Sequence, residues 1–142
     1  MRSKLFWRNI IWALIIFILC SMPGKELPHS SMFQIPYFDK MVHFGLFFIM
    51  GIFLCSEMNF QTKWKSMTIA IVALGIIGVY GGGIEILQHY YFDGRSGDPL
   101  DLFADMGGGV ISIVLYPSLK KQKDSLLNSK PLRDISFLRK LL

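Results

Sequence analysis

Apolar and polar positions alternate along this chain in long blocks. Residues 5–22, LFWRNIIWALIIFILCSM, form a first apolar run behind Arg2 and Lys4. Residues 39–56 form a second, headed by Asp39, Lys40 and His43, and residues 67–92 a third, uncharged from Met67 to Ile84. A fourth runs over residues 99–119. A helix needs about 20 mostly apolar residues to cross a bilayer, and spans two and four reach that length only when their polar ends are included. The pattern predicts an all-α, four-transmembrane-helix bundle over residues 1–119, followed by a basic tail over 120–142. The proline-bearing stretch 23–38 (Pro23, Pro28, Pro36) reads as an ordered loop without helix or strand periodicity, and 57–66 as a short polar turn. A cleaved signal peptide fits the first run poorly, because no small-residue cleavage site follows it. Bulky Phe17, Ile18 and Leu19 before Cys20 rule out a lipobox.

Charge placement fixes an expected orientation. With the N-terminus inside, the cytoplasmic side holds Arg2, Lys4, Arg8, Lys63, Lys65, Lys120, Lys121, Lys123, Lys130, Arg133, Arg139 and Lys140, twelve of the fifteen Lys and Arg residues. Such sorting is the positive-inside rule, and it predicts both termini in the cytoplasm. The acids sort the other way: Glu26, Asp39, Glu85, Asp93, Asp98, Asp101 and Asp105, seven of ten, fall at or near the outer face. The formal charge of +5 does not point to nucleic acid, because the basic residues sit on segment flanks and in the tail without a binding motif. With 52% hydrophobic and 18% charged residues, the 142-residue chain is poorer in charge than soluble domains, which carry about 25%. Cys20 and Cys55 have no metal-type spacing; they fall in different layers and are expected to stay unpaired as small buried hydrophobes.

The outer polar residues converge by helical spacing. Asp39 and His43 are four apart and share a face of span two; Glu85, Gln88 and His89 share one on span three; Asp101 and Asp105 share one on span four. At 1.5 Å of rise per residue, His43 and Asp105 lie about 6 Å further into the membrane than the first acid of their helices. Gly78 and Gly82 form a GxxxG pair, and Gly107–Gly109 supply a second small surface for close approach. Asp98-Pro99 reads as a helix start, with Asp98 as N-cap and Pro99 at the first position. Capping accounts for Asp98 but not for Asp105, two turns in. Ionisable residues inside a membrane segment are costly and mark functional sites by default. The expected ligand-binding set is therefore Asp39, Lys40, His43, Glu85, Gln88, Arg95, Asp98, Asp101 and Asp105, with His43, Glu85, Asp101 and Asp105 as acid–base candidates. His89, beside Tyr90 and Tyr91, reads as part of an interfacial belt. In the tail, Leu132, Ile135, Leu138 and Leu142 fall near one face, which leaves two readings open, an interfacial helix or a disordered basic segment.

Asp39-Lys40-x-x-His43-Phe44, then Glu85-x-x-Gln88, Arg95, Asp98, Asp101 and Asp105-x-x-Gly108, resembles the VanZ-like integral membrane proteins. The Ser21-x-Pro23-Gly24 turn and Leu27-Pro28 add to the likeness, which covers roughly residues 5–119. The family often carries Asn where this chain has Asp105. The resemblance implies a cell-envelope membrane protein linked to teicoplanin-type glycopeptide resistance. Three functions follow as expectations. An outward-facing site can bind the anionic head group of a membrane lipid or lipid-linked envelope precursor through Lys40 and Arg95. The same carboxylates and His43 can serve a membrane-embedded hydrolase or transferase, by acid–base chemistry or a divalent metal, although no recognised metal motif is present and no cofactor is implied. Or the charges form a purely structural network locking the helices.

Overall fold

The computed structural model describes residues 3–22, 37–92 and 97–128. These form four helices and no strand: α1 (Ser3–Ser21), α2 (Phe38–Gln61), α3 (Ser66–Tyr91) and α4 (Pro99–Asn128). Among them α2, α3 and α4 are long and apolar enough to cross a membrane, while α1 contributes the shorter apolar stretch Trp7–Ser21. The loop expected at 23–38, except Tyr37 and Phe38, and the tail from residue 129 lie outside the described residues, as does Arg95.

The packing is that of a bundle with an apolar exterior. Its interior is built from Ile16, Cys20, Phe47, Met50, Leu54, Cys55, Ile69, Ala73, Ile77 and Ile84. Outward-facing Val79 is 80% exposed and Phe103 73%. Large apolar side chains on the outside have lipid, not water, as their natural solvent.

The most extensive helix pairing joins α2 and α4. It is made possible by Gly108, where a Cβ would run into the backbone carbonyl oxygen of Phe44 and lie 2.9 Å from the Phe48 amide nitrogen. Gly51 on α2 similarly faces the Ser112 side chain on α4. Close backbone approach across small residues is the usual way helices associate in lipid, where burial of apolar surface supplies no driving force. On α3 the glycine register differs from the expected one. Gly82 meets nothing within 4 Å, and the interface stripe runs instead through Ile77, Gly81, Ile84, Glu85 and Gln88. The GxxxG spacing was present, but the turn of α3 put its second glycine off the contact.

Side-chain hydrogen bonds to backbone carbonyls pin α1 to this core. Trp12 Nε1 donates to Leu46 O at 3.0 Å, and the Tyr80 hydroxyl to Ala13 O at 2.6 Å. At the opposite end from the acidic layer, α2 continues five residues past its expected end at 56. Residues 57–61 stay helical because Glu57 is buried and satisfied: Asn9 Nδ2 donates to its Oε2 at 2.8 Å, and Gln61 Nε2 to its Oε1. The connection to α3 is then only residues 62–65. Helix α4 likewise runs on through Pro117 and into the exposed, basic residues 120–126.

Candidate functional site

Two polar layers sit at the end of the bundle where α2 and α4 begin and α3 ends. The outer layer is organised by Lys40, in the first turn of α2. Its ammonium donates to Asp98 Oδ2 at 2.6 Å and to Asp101 Oδ1 at 3.1 Å. Asp98 also does the local work the sequence assigns to it: its Oδ1 accepts the Leu100 amide at 2.9 Å, the N-cap bond of α4. The Lys40 ammonium beside it holds the Asp98 carboxyl below the usual carboxylate range, with the Leu100 amide acting in the same direction. Asp101 is buried, whereas the Lys40 and Asp98 side chains keep 22% and 37% exposure, so the outer layer opens to the surface.

The inner layer is drier. His43, 2% exposed, places Nδ1 3.0 Å from Asp105 Oδ1 and 3.9 Å from Glu85 Oε1. Three helices thus contribute one group each, His43 from α2, Glu85 from α3 and Asp105 from α4. Asp105 is wholly buried, and its Oδ2 lies over Gly81, where an added Cβ would approach to 2.5 Å. Glu85 is tied to the outer layer, since its Oε2 accepts the Asp98 backbone N–H at 2.9 Å. Glu85 Oε1 and Asp105 Oδ2 are buried without a hydrogen-bond partner.

Residues 5–120 match the VanZ/LLP1 family. The chain belongs to the VanZ-like family. No curated protein and no solved structure matches it. With three helices of membrane-crossing length, this VanZ-like chain is an integral membrane protein.

Most of the polar residues singled out in the VanZ-like sequence come together in space. Lys40, Asp98 and Asp101 form the outer layer; His43, Glu85 and Asp105 form the inner one. Asp39 lies exposed at the rim, although one of its carboxylate oxygens can come within 4.8 Å of donor atoms on His43 and Asp101. Gln88 is buried but turned towards α1, where its Nε2 donates to Cys20 O at 3.1 Å. Its place is to anchor the end of α1, beside the acidic cluster. His89 is exposed, edge-on to Tyr90 with ring centroids 4.7 Å apart.

Cys20 is a further neighbour of the site. Cys20 is buried, as expected of a small hydrophobe, but its Sγ is 4.0 Å from His43 Nε2. The only trace of this in the sequence is depth: Cys20 falls near the same end of span one that His43 occupies on span two. Nothing in the spacing says that α1 turns that face inward.

Proposed function

We propose that the outer layer of this VanZ-like protein receives the anionic head group of a membrane lipid, or of a lipid-linked envelope precursor, on the extracytoplasmic side of the membrane. The carrying observation is Lys40: an ammonium in the first turn of a membrane-crossing helix, partly exposed and held in place by two aspartates. Such a cation is pre-oriented; because Asp98 and Asp101 outweigh its charge, the anion in this reading is held by an N–H donor of Lys40 together with a second cation. Arg95, in the connection before α4, supplies a second, bidentate cation in this reading. Family resemblance links VanZ-like proteins to resistance against teicoplanin-type glycopeptides.

The test is lipid retention. Protein purified from its membrane in a mild detergent is analysed for co-purifying anionic phospholipid and lipid-linked precursor, as wild type, Lys40→Met and Arg95→Ala. The wild type retains anionic lipid selectively, and each variant loses most of it. Equal recovery from all three would overturn the reading. Lys40 also ties α2 to α4, so a loss of thermal stability in Lys40→Met without any change in lipid retention identifies the contacts as structural alone.

A further inference from the structure

The two layers differ in how their charge is balanced. In the outer one a fixed ammonium, Lys40, stands between Asp98 and Asp101. The inner one has two carboxylates, Glu85 and Asp105, and among the described residues only the imidazole of His43 faces them. Among the described residues four carboxylates face Lys40 and His43, so with all four ionised two negative charges remain uncompensated even with His43 protonated. A buried carboxylate without a counter-charge is strongly disfavoured in a low-dielectric interior. Two of the oxygens concerned, Glu85 Oε1 and Asp105 Oδ2, also lack a hydrogen-bond partner, although Asp105 is fully buried and Glu85 only 9% exposed. Buried polar atoms left in that condition call for an explanation.

We propose that His43 Nδ1, Glu85 Oε1 and the Asp105 carboxylate bind one divalent transition-metal ion of the Zn²⁺ or Mn²⁺ type. One imidazole nitrogen and two carboxylates are donors that such ions accept, and the two carboxylate charges match the ion's own. The spacing fits. Bonds of about 2.0–2.2 Å place neighbouring donors roughly 3–4 Å apart, and the imidazole nitrogen stands 3.0 Å from Asp105 Oδ1 and 3.9 Å from Glu85 Oε1. One ligand atom of each of the three residues lies within 4.8 Å of the other two, so the Glu85 and Asp105 carboxylates need at most a small inward shift to share an ion with the imidazole.

The surrounding contacts orient the donors as the outer shell of a metal site does. With Nδ1 as the ligand atom, the proton of His43 resides on Nε2, where Cys20 Sγ accepts it at 4.0 Å. Glu85 is held by the Asp98 amide on Oε2, which leaves Oε1 aimed at the imidazole. Gly81 leaves the Asp105 carboxylate room that an alanine methyl would take. A second group, Asp39, His43 and Asp101, is also close enough to share an ion. There, however, the Lys40 ammonium already compensates Asp101, and Asp39 is exposed. The inner trio is therefore the site. Three protein donors leave a coordination position for water or a phosphate oxygen. Only this last role, a bridge to a bound head group, rests on the function proposed above; metal binding itself does not.

The experiment uses the full chain in dodecyl maltoside, free of lipid phosphate, titrated with Co²⁺ alone and followed by its visible absorption and by metal content after gel filtration. Wild type binds one Co²⁺ per chain with a nitrogen–oxygen spectrum, and Zn²⁺ displaces it. Asp105→Asn and Glu85→Gln, which keep the side-chain shape, bind at least about 10-fold more weakly, as losses at metal sites generally do. Glu57→Gln, a buried carboxylate at the other end of the bundle, binds as wild type does. Zn²⁺ raises the melting temperature of wild type and Glu57→Gln but not of the two donor variants, a readout that also reports whether each variant is folded. Absence of saturable Co²⁺ binding by folded wild type overturns the proposal, and so does wild-type binding by both donor variants. Since no anionic lipid is present, failure here leaves the lipid-retention result untouched, and the reverse holds as well.

Discussion

Asp98 carries two tasks on one side chain, capping α4 through Oδ1 and pairing with Lys40 through Oδ2. Because Lys40 holds its folded-state pKa below the ordinary value, Asp98 contributes stability that is fully present above the usual carboxylate range. That contribution is lost as the pH falls through the depressed folded value. Asp98→Asn keeps an N-cap acceptor, since Asn caps about as well as Asp, but it removes the ionisation. The melting temperature of the wild type should therefore fall on acidification through the carboxylate range. Asp98→Asn should start lower at neutral pH and show a shallower acid limb. Parallel curves for the two proteins would mean that the Lys40 pair contributes nothing to stability. The expected residue roles divide on similar local grounds. Asp98 was legible as a cap because its position before Pro99 is a local fact. Spacing groups Gln88 with the acids, yet it reaches the carbonyl of Cys20 on α1, a partner 68 positions away.

At the level of elements, the α2–α4 crossing is the structural requirement of the site. It brings Lys40 within reach of Asp98 and Asp101, and His43 within reach of Asp105. Gly108 permits that crossing, because a methyl group there meets the main chain of Phe44, which cannot move aside as a side-chain end can. Gly108→Ala should accordingly destabilise the protein by about 1–3 kcal/mol, the usual range for overpacking a close contact. Gly82→Ala, facing open space, should be neutral or slightly stabilising through helix propensity. Thermal melts of the two variants in detergent decide this, and equal losses would contradict the assigned register of α3. The glycine-rich composition of α3 was plain in the sequence. Which glycine faces a neighbour was not, because Gly81 and Gly82 differ only by a 100° turn about the helix axis.

Across the whole molecule, the acidic layers and the basic flanks occupy opposite ends of the bundle. Lys63, Lys65, Lys120 and Lys121 lie at the end where α2 closes and α3 opens, and Lys40, Glu85, Asp98 and Asp101 at the other. The positive-inside rule predicts that the basic end faces the cytoplasm. A reporter that fluoresces only in the cytoplasm, fused after Leu142, should be active, and one that folds only outside should be silent; the opposite pair of results would place the polar site on the inner face.

The sequence by itself determined the helical class, the membrane habit, the acidic and basic ends and the common depth of His43, Glu85 and Asp105. All of these follow from periodicity and charge along one chain. The α2 boundary escaped it because Glu57 reads as a polar turn residue until Asn9, from another helix, satisfies its carboxylate. Only the tertiary structure decided the rotation of each helix. That rotation separates Gly81 from Gly82, turns Gln88 to α1, brings Cys20 against His43, and leaves two buried carboxylate oxygens without partners beside an imidazole. Rotation is fixed by packing between helices, and a hydropathy pattern whose outer surface is as apolar as its core carries little information about it.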